Sequence, residues 1–178
     1  LEKMLTKMQH AKSPATLIKY LKLAQDLPGV AFRPVAVKDR RDGKIRIAYR
    51  TSVKRFSANW FVRNGGNDPK VGRFPINLGA SVYNLFGGDR LSVSGNTTEE
   101  FGPSWGVGAN YQKVLTAEGL RLRAGYTYSA YTQPWEDGIT QLYKTHGHGY
   151  SLSLSQPLIV GAARRLDVFL VANYATGY

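Results

Sequence analysis

From about Ser57 onward, apolar and small polar residues alternate along the chain. Leu120, Leu122, Ala124, Tyr126, Tyr128 and Ala130 fall on one side of an extended segment. Arg121, Arg123, Gly125, Thr127, Ser129 and Tyr131 fall on the other. Tyr150, Leu152, Leu154 and Leu158 alternate in the same way with Ser151, Ser153 and Ser155. Successive side chains of a strand point to opposite faces, so each segment has one apolar and one polar face. Turn signals divide the region into about seven strands, over 57–64, 72–85, 89–97, 104–115, 119–132, 147–160 and 164–175. Gly87-Gly88-Asp89, Ala117-Glu118-Gly119 and Gly161-Ala162-Ala163 read as tight turns, whereas 65–71, 98–103 and 133–146 are longer connections. Up-and-down membrane barrels alternate short and long connections in this manner and turn the apolar face to lipid. A soluble sandwich shows the same alternation with the apolar face inward, and more often crosses between sheets in Greek keys.

The first 55 residues follow a different period. Leu1, Met4, Leu5 and Met8 have the spacing of a helix face. Ser13-Pro14 reads as an N-cap followed by proline at the first helical position, and Leu17, Ile18, Leu21, Leu23 and Ala24 continue a second helix. Leu27-Pro28-Gly29 stops it. Val30 to Val37 is extended, with Pro34 marking an edge strand or an outward-facing amide position. Asp39 to Gly43 reads as a turn, and Lys44 to Val53 as a second strand with Ile45, Ile47 and Tyr49 on one face. The order is helix, helix, strand, strand.

Charge and composition change at the same place. Residues 1–55 hold 14 Lys/Arg against 4 Asp/Glu, while residues 56–178 hold 10 against 8. Of 19 glycines, only Gly29 and Gly43 precede residue 56. The boundary therefore falls near Lys54-Arg55-Phe56, between a basic mixed module at 1–55 and a Gly/Tyr/Ser-rich β region at 56–178. There is no cysteine, so neither a disulfide framework nor a thiolate metal site is expected. No apolar stretch of about 20 residues is present, which excludes a membrane-spanning helix but not a barrel of half-apolar strands. No short apolar run with a basic flank opens the chain, so no secretory leader is expected within it. Trp60, Trp105, Tyr111, Tyr126, Tyr128, Trp135, Tyr150 and Tyr174 lie near strand ends or on the apolar faces. Amphipathic rings are favoured there at a membrane–water interface.

The segment Tyr20-Leu21-Lys22-Leu23-Ala24-Gln25-Asp26-Leu27-Pro28-Gly29-Val30 resembles the Pro-Gly-Val stretch of a POTRA domain in the two-partner secretion transporters. These are outer-membrane proteins of the hemolysin secretion/activation type. Asn64-Gly65-Gly66 resembles the turn after the first barrel strand of that family. The run from Gly79 through Asn84-Leu85-Phe86-Gly87-Gly88-Asp89 to Leu91 is similar to its next hairpin, one residue short at the turn. Gly119 to Leu122 and Gly125 to Ser129 resemble the following arms, and Tyr150 to Leu158 the strand after them. The resemblance covers nearly the whole chain. It implies a periplasmic POTRA module of order β-α-α-β-β, here lacking its first strand, feeding a transmembrane antiparallel β-barrel of which this chain carries the N-terminal strands. The chain is thus expected to be an internal piece of a longer protein. The family's lumen-loop motif, with its Arg-Gly-Tyr/Phe core, is absent from this sequence, and that part of the mechanism is not carried over.

Candidate chemistry is sparse. His146-Gly147-His148 supplies two imidazoles without a third ligand nearby and reads as a polar loop tip. Glu99-Glu100 and Glu136-Asp137 read as solvated loop carboxylates. No nucleophile, phosphate-loop or zinc-protease motif is present, so no enzyme and no cofactor is expected. Lys38, Arg40, Arg41, Lys44, Arg46 and Arg50 form a basic patch, but Phe32 and Tyr49, the aromatic residues that could stack bases, lie on apolar faces. Nucleic acid is not expected as a partner. The strand edge at Val30, Ala31, Phe32, Arg33, Val35 and Val37 can pair with an extended client, and the resemblance implies the same surface. Arg121, Arg123, Ser151, Ser153, Ser155 and Asp167 are expected to line an aqueous path, with Leu78, Val82, Val107, Leu122, Leu152, Leu154, Val168 and Leu170 toward lipid. The expected function is secretion of a partner protein across a bacterial outer membrane by a monomeric barrel. An assembly or export factor of the same superfamily, a passive porin, and a soluble β protein with a nucleic-acid-binding module are the alternatives.

Overall fold

The computed structural model describes residues 2–11, 13–38, 45–63, 74–97, 104–134 and 142–178. Features expected at Asp39–Gly43, Arg40, Arg41, Lys44, Asn64-Gly65-Gly66, Glu99-Glu100, Trp135 and Glu136-Asp137 lie outside the described residues.

Two short helices open the chain. In α1 (Glu2–Gln9) Met4 and Met8, one turn apart, are buried on one side. Helix α2 (Pro14–Gln25) starts on Ser13, whose Oγ accepts the Thr16 amide at 3.2 Å, with Pro14 in the first turn. It buries Tyr20, Leu23 and Ala24. Asp26 caps it, and the chain then turns through Gly29, whose φ of +71° lies in the left-handed region. Strands β1 (Val30–Lys38) and β2 (Ile45–Val53) form an antiparallel hairpin in register from Val30↔Val53 to Lys38↔Ile45.

Two residues later the second sheet begins. Its strands are β3 (Phe56–Val62), β4 (Ile76–Tyr83), β5 (Asp89–Thr97), β6 (Ser104–Val114), β7 (Arg121–Pro134), β8 (Leu142–Val160) and β9 (Arg165–Gly177). Each pairs antiparallel with its sequence neighbour, giving the order β3-β4-β5-β6-β7-β8-β9 with no crossover. The protein is mainly β, with two short helices and antiparallel sheets. The seven-stranded sheet is open: β3 and β9 are its edges and do not pair with each other. One boundary moves far enough to matter. Strand β8 starts at Leu142, so His146 and His148 sit inside a strand and not at a loop tip. Strand β7 runs on to Pro134 opposite Leu142, and that pairing draws the expected loop residues into the sheet.

The tight turns all lie at one end of this sheet. At the β4–β5 turn, Asp89 is fully buried; its carboxylate accepts the Phe86 amide at 3.0 Å and the Tyr111 hydroxyl at 3.2 Å. Asn84 takes a positive φ of 59° there, as its short amide side chain tolerates. The helical module packs on this same end. Its core of Met4, Met8, Tyr20, Leu23, Ala24, Leu27, Val30 and Phe32 includes Val160 from the end of β8, with Val114 and Ala117 packed against it. A β-bulge at Leu158 makes this possible, because it returns Ile159 to the face of Leu166 and sends Val160 toward the helices. The change of composition near residue 55 thus marks where the chain enters the second sheet, while the hydrophobic core crosses it.

Candidate membrane-facing and client-facing surfaces

Register assigns every strand residue to a face. Trp60↔Leu78↔Gly95↔Val107↔Tyr128↔His148 is one row across the sheet, and Phe56↔Val82↔Leu91↔Tyr111↔Ala124↔Leu152↔Ala172 is another. All eight positions expected toward lipid, Leu78, Val82, Val107, Leu122, Leu152, Leu154, Val168 and Leu170, share this face. It is not covered: Leu152 is 51% exposed, Leu170 70% and Trp60 74%. Large exposed apolar side chains lying side by side mark a surface that meets a membrane, a partner or a ligand. From Leu166 to Tyr174 the strand runs roughly 27 Å, or about 21 Å when tilted by about 40°, close to the ~25 Å apolar band of an outer-membrane barrel.

Aromatic rings gather on that face toward the long-connection end. Trp105 meets Tyr128 at 5.1 Å between centroids, Tyr126 meets Tyr150 at 5.2 Å, and Tyr150 meets Tyr174 at 6.2 Å. The two histidines join them. The Tyr126 hydroxyl lies 3.0 Å from His148 Nδ1, and the Tyr128 hydroxyl 2.8 Å from His146 Nδ1. Among the described residues no group of three or more His, Asp or Glu side chains converges as a metal site requires.

The opposite face is polar and shallow. One row reads Asn59↔Gly79↔Ser94↔Gly108↔Thr127↔Gly149, with a small hydroxyl or amide beside each glycine. Arg121, Arg123, Ser151, Ser153, Ser155 and Asp167 all lie on this face. Two of the six are already engaged. The Arg121 guanidinium donates to Asp26 at 2.7 Å, and the Asp167 carboxylate accepts Arg165 at 2.7 Å. On β9 the alternation breaks, since Phe169 and Val171 add exposed apolar side chains to the polar face.

The module is held to the tight-turn rim by a joint that sequence reading did not reveal. Glu118, between β6 and β7, accepts Lys7 Nζ, Lys19 Nζ and the Tyr20 hydroxyl, each at 2.6 Å. Asp26 accepts both Arg121 and Arg165, at 2.7 and 2.6 Å. Lys22 donates to the carbonyls of Gly161 and Ala162 at 2.6 and 2.7 Å. Asn84 donates to the Pro28 carbonyl at 3.3 Å. Every tight turn therefore touches the module. Hydrogen bonds from Lys19, then Lys7 and Tyr20, hold the Glu118 carboxyl down at about 2 against an ordinary 4.5. Burial works to raise the Asp26 carboxyl, but Arg121 and Arg165 outweigh it and leave it lowered. A depressed carboxyl stabilises above its unfolded pKa and loses that contribution as pH falls through its folded value. The Glu118 contribution is therefore complete above about pH 4.5 and lost by about pH 2. Each of these partly exposed pairs contributes only about 0.2–1 kcal/mol. Protease accessibility of α2 should rise across that window, and Glu118→Gln should show the raised accessibility already at neutral pH. A pH profile identical in both proteins would remove Glu118 from the joint.

The edge of β1 is more restricted than its sequence suggests. The Lys54 amide donates to the Gly29 carbonyl at 2.7 Å, which fixes the phase of the hairpin. Ala31, Arg33, Val35 and Val37 then aim their backbone groups at β2, while Val30, Phe32, Pro34 and Ala36 aim theirs at the open edge. The Val30 amide is already bonded to Leu27 at 3.2 Å, and Pro34 has none. Phe32 and Ala36, with Lys38 in the same phase, offer amides to an added strand. The side chains of Val30 and Phe32 are buried in the module's own core, and those of Ala31, Arg33, Val35 and Val37 are exposed on the other face.

No family model, curated protein or solved structure matches the chain.

Proposed function

We propose that this chain is part of an outer-membrane β-barrel transporter of the two-partner secretion type, with residues 1–55 as a partial POTRA-like periplasmic module and 56–178 as the N-terminal strands of the barrel. Its work is to pass a partner protein across the membrane without cofactor or catalysis. One observation carries the reading: a crossover-free meander presents an uncovered apolar face with an aromatic band on one side and a Gly/Ser/Asn face on the other. The open sheet supports it too, since its free edges β3 and β9 are where further strands would close a barrel. The module docks at the tight-turn end, which is the periplasmic end of such barrels. Detergent dependence tests the proposal. The protein should stay monodisperse only with detergent or lipid and show heat-modifiable migration. A folded monomer in plain buffer would overturn the reading.

A further inference from the structure

The polar face carries an uneven charge, and that unevenness identifies a class of client; the inference rests on the transporter reading. Arg90 and Arg123 occupy one row, with Gln112 between them on β6. Strand spacing places their backbones about 10 Å apart. Arg121 precedes Arg123 by two residues on the same face. Arg90 is pre-oriented, because its Nε and Nη2 donate to Ser81 Oγ at 3.3 and 3.0 Å and its guanidinium lies 5.4 Å from the Tyr83 ring centroid. Arg123 is exposed and makes no hydrogen bond or ion pair among the described residues.

A carboxylate already occupies this belt. Asp26 binds Arg121 through Nη2, and Arg121 Nε is buried without an acceptor. Beside Arg90 lies a groove of about 340 Å³ lined by Asn59, Asn77, Ser81, Ser92 and Asn96 over Gly79, with the Phe61 ring as an apolar wall. It has amides and hydroxyls but no carboxylate. Such a lining can hydrogen-bond a polypeptide backbone, and the glycine admits close approach. Guanidinium groups bind carboxylates by paired hydrogen bonds, and low-dielectric walls concentrate anions near them.

The geometry points to an extended, acidic polypeptide segment as the ligand of this face, with its carboxylates on Arg90 and Arg123 and its backbone in the groove. The probe is a fluorescent Glu/Ser/Gly peptide titrated onto the micelle-held protein, beside Gln/Ser/Gly and Lys/Ser/Gly peptides of equal length. The acidic peptide should bind, weaken steeply with added salt, and lose about tenfold or more in affinity to the Arg90→Gln/Arg123→Gln protein. The lysine variant at both positions should retain part of the binding. Equal binding of the Glu and Gln peptides to the unmutated protein would overturn the inference, as would an unchanged affinity in the double variant. Detergent dependence, measured on the same samples without peptide, reports separately on the transporter reading.

Discussion

Leu152→Arg is expected to cost about 2–4 kcal/mol of folding stability in lipid vesicles, while Ser151→Arg, one residue earlier, stays within about 0.5 kcal/mol. The two positions share a strand, a depth and a backbone. They differ only in face. Leu152 lies across from Ala124 and Ala172 on the apolar side, and Ser151 across from Gly125 and Asn173 on the polar side. An arginine on the lipid side near the bilayer midplane has no water to solvate it. On the polar side it enters hydrated space. Urea unfolding midpoints in vesicles measure both. Equal costs for the two substitutions would mean that the faces do not separate lipid from water.

The second large effect is expected at Gly29. Gly29→Ala should destabilise the docked module by about 2–5 kcal/mol, and the cost has two sources. The first is conformational: at φ +71° a side chain costs roughly 1–2 kcal/mol. The second is space. A Cβ there would lie 2.8 Å from the Lys54 carbonyl oxygen and 2.7 Å from the Tyr83 ring. One of these is backbone held by the hairpin, so it cannot step aside, and overpacking of this kind adds about 1–3 kcal/mol. Hydrogen exchange of the α2 amides in detergent is the measurement. Faster exchange in α2, with β6–β8 protection retained, is the expected pattern. Unchanged α2 protection would show that the turn at Gly29 accommodates a side chain.

Both effects fall where sequence and tertiary structure contribute differently. The two faces of the second sheet were legible in the sequence, because face depends only on odd or even position within a strand. Leu122, Leu152 and Leu170 could be grouped before any pairing was known. The helix start at Ser13-Pro14 and its stop at Pro28-Gly29 were equally local, since each is set by one residue's dihedral preference or one capping oxygen. Strand length was less so. His146 falls just outside the strand expected at 147–160, and only pairing with Ala130 draws it into β8.

The joint was beyond sequence reading altogether. Nothing near Glu118 indicates that Lys19 and Tyr20, about a hundred residues earlier, will converge on its carboxylate. Nor does Arg121, in a polar row of its strand, announce that Asp26 will claim it. Val160 enters the module's core only because a bulge at Leu158 shifts its side. Alternation, capping and turn chemistry act through the bonds and rotations of neighbouring residues, so the chain by itself determined the elements and their faces. Which rim meets which helix depends on distant groups satisfying one another's charge and apolar surface, and that was decided only when the sheet had assembled and the module had packed against it.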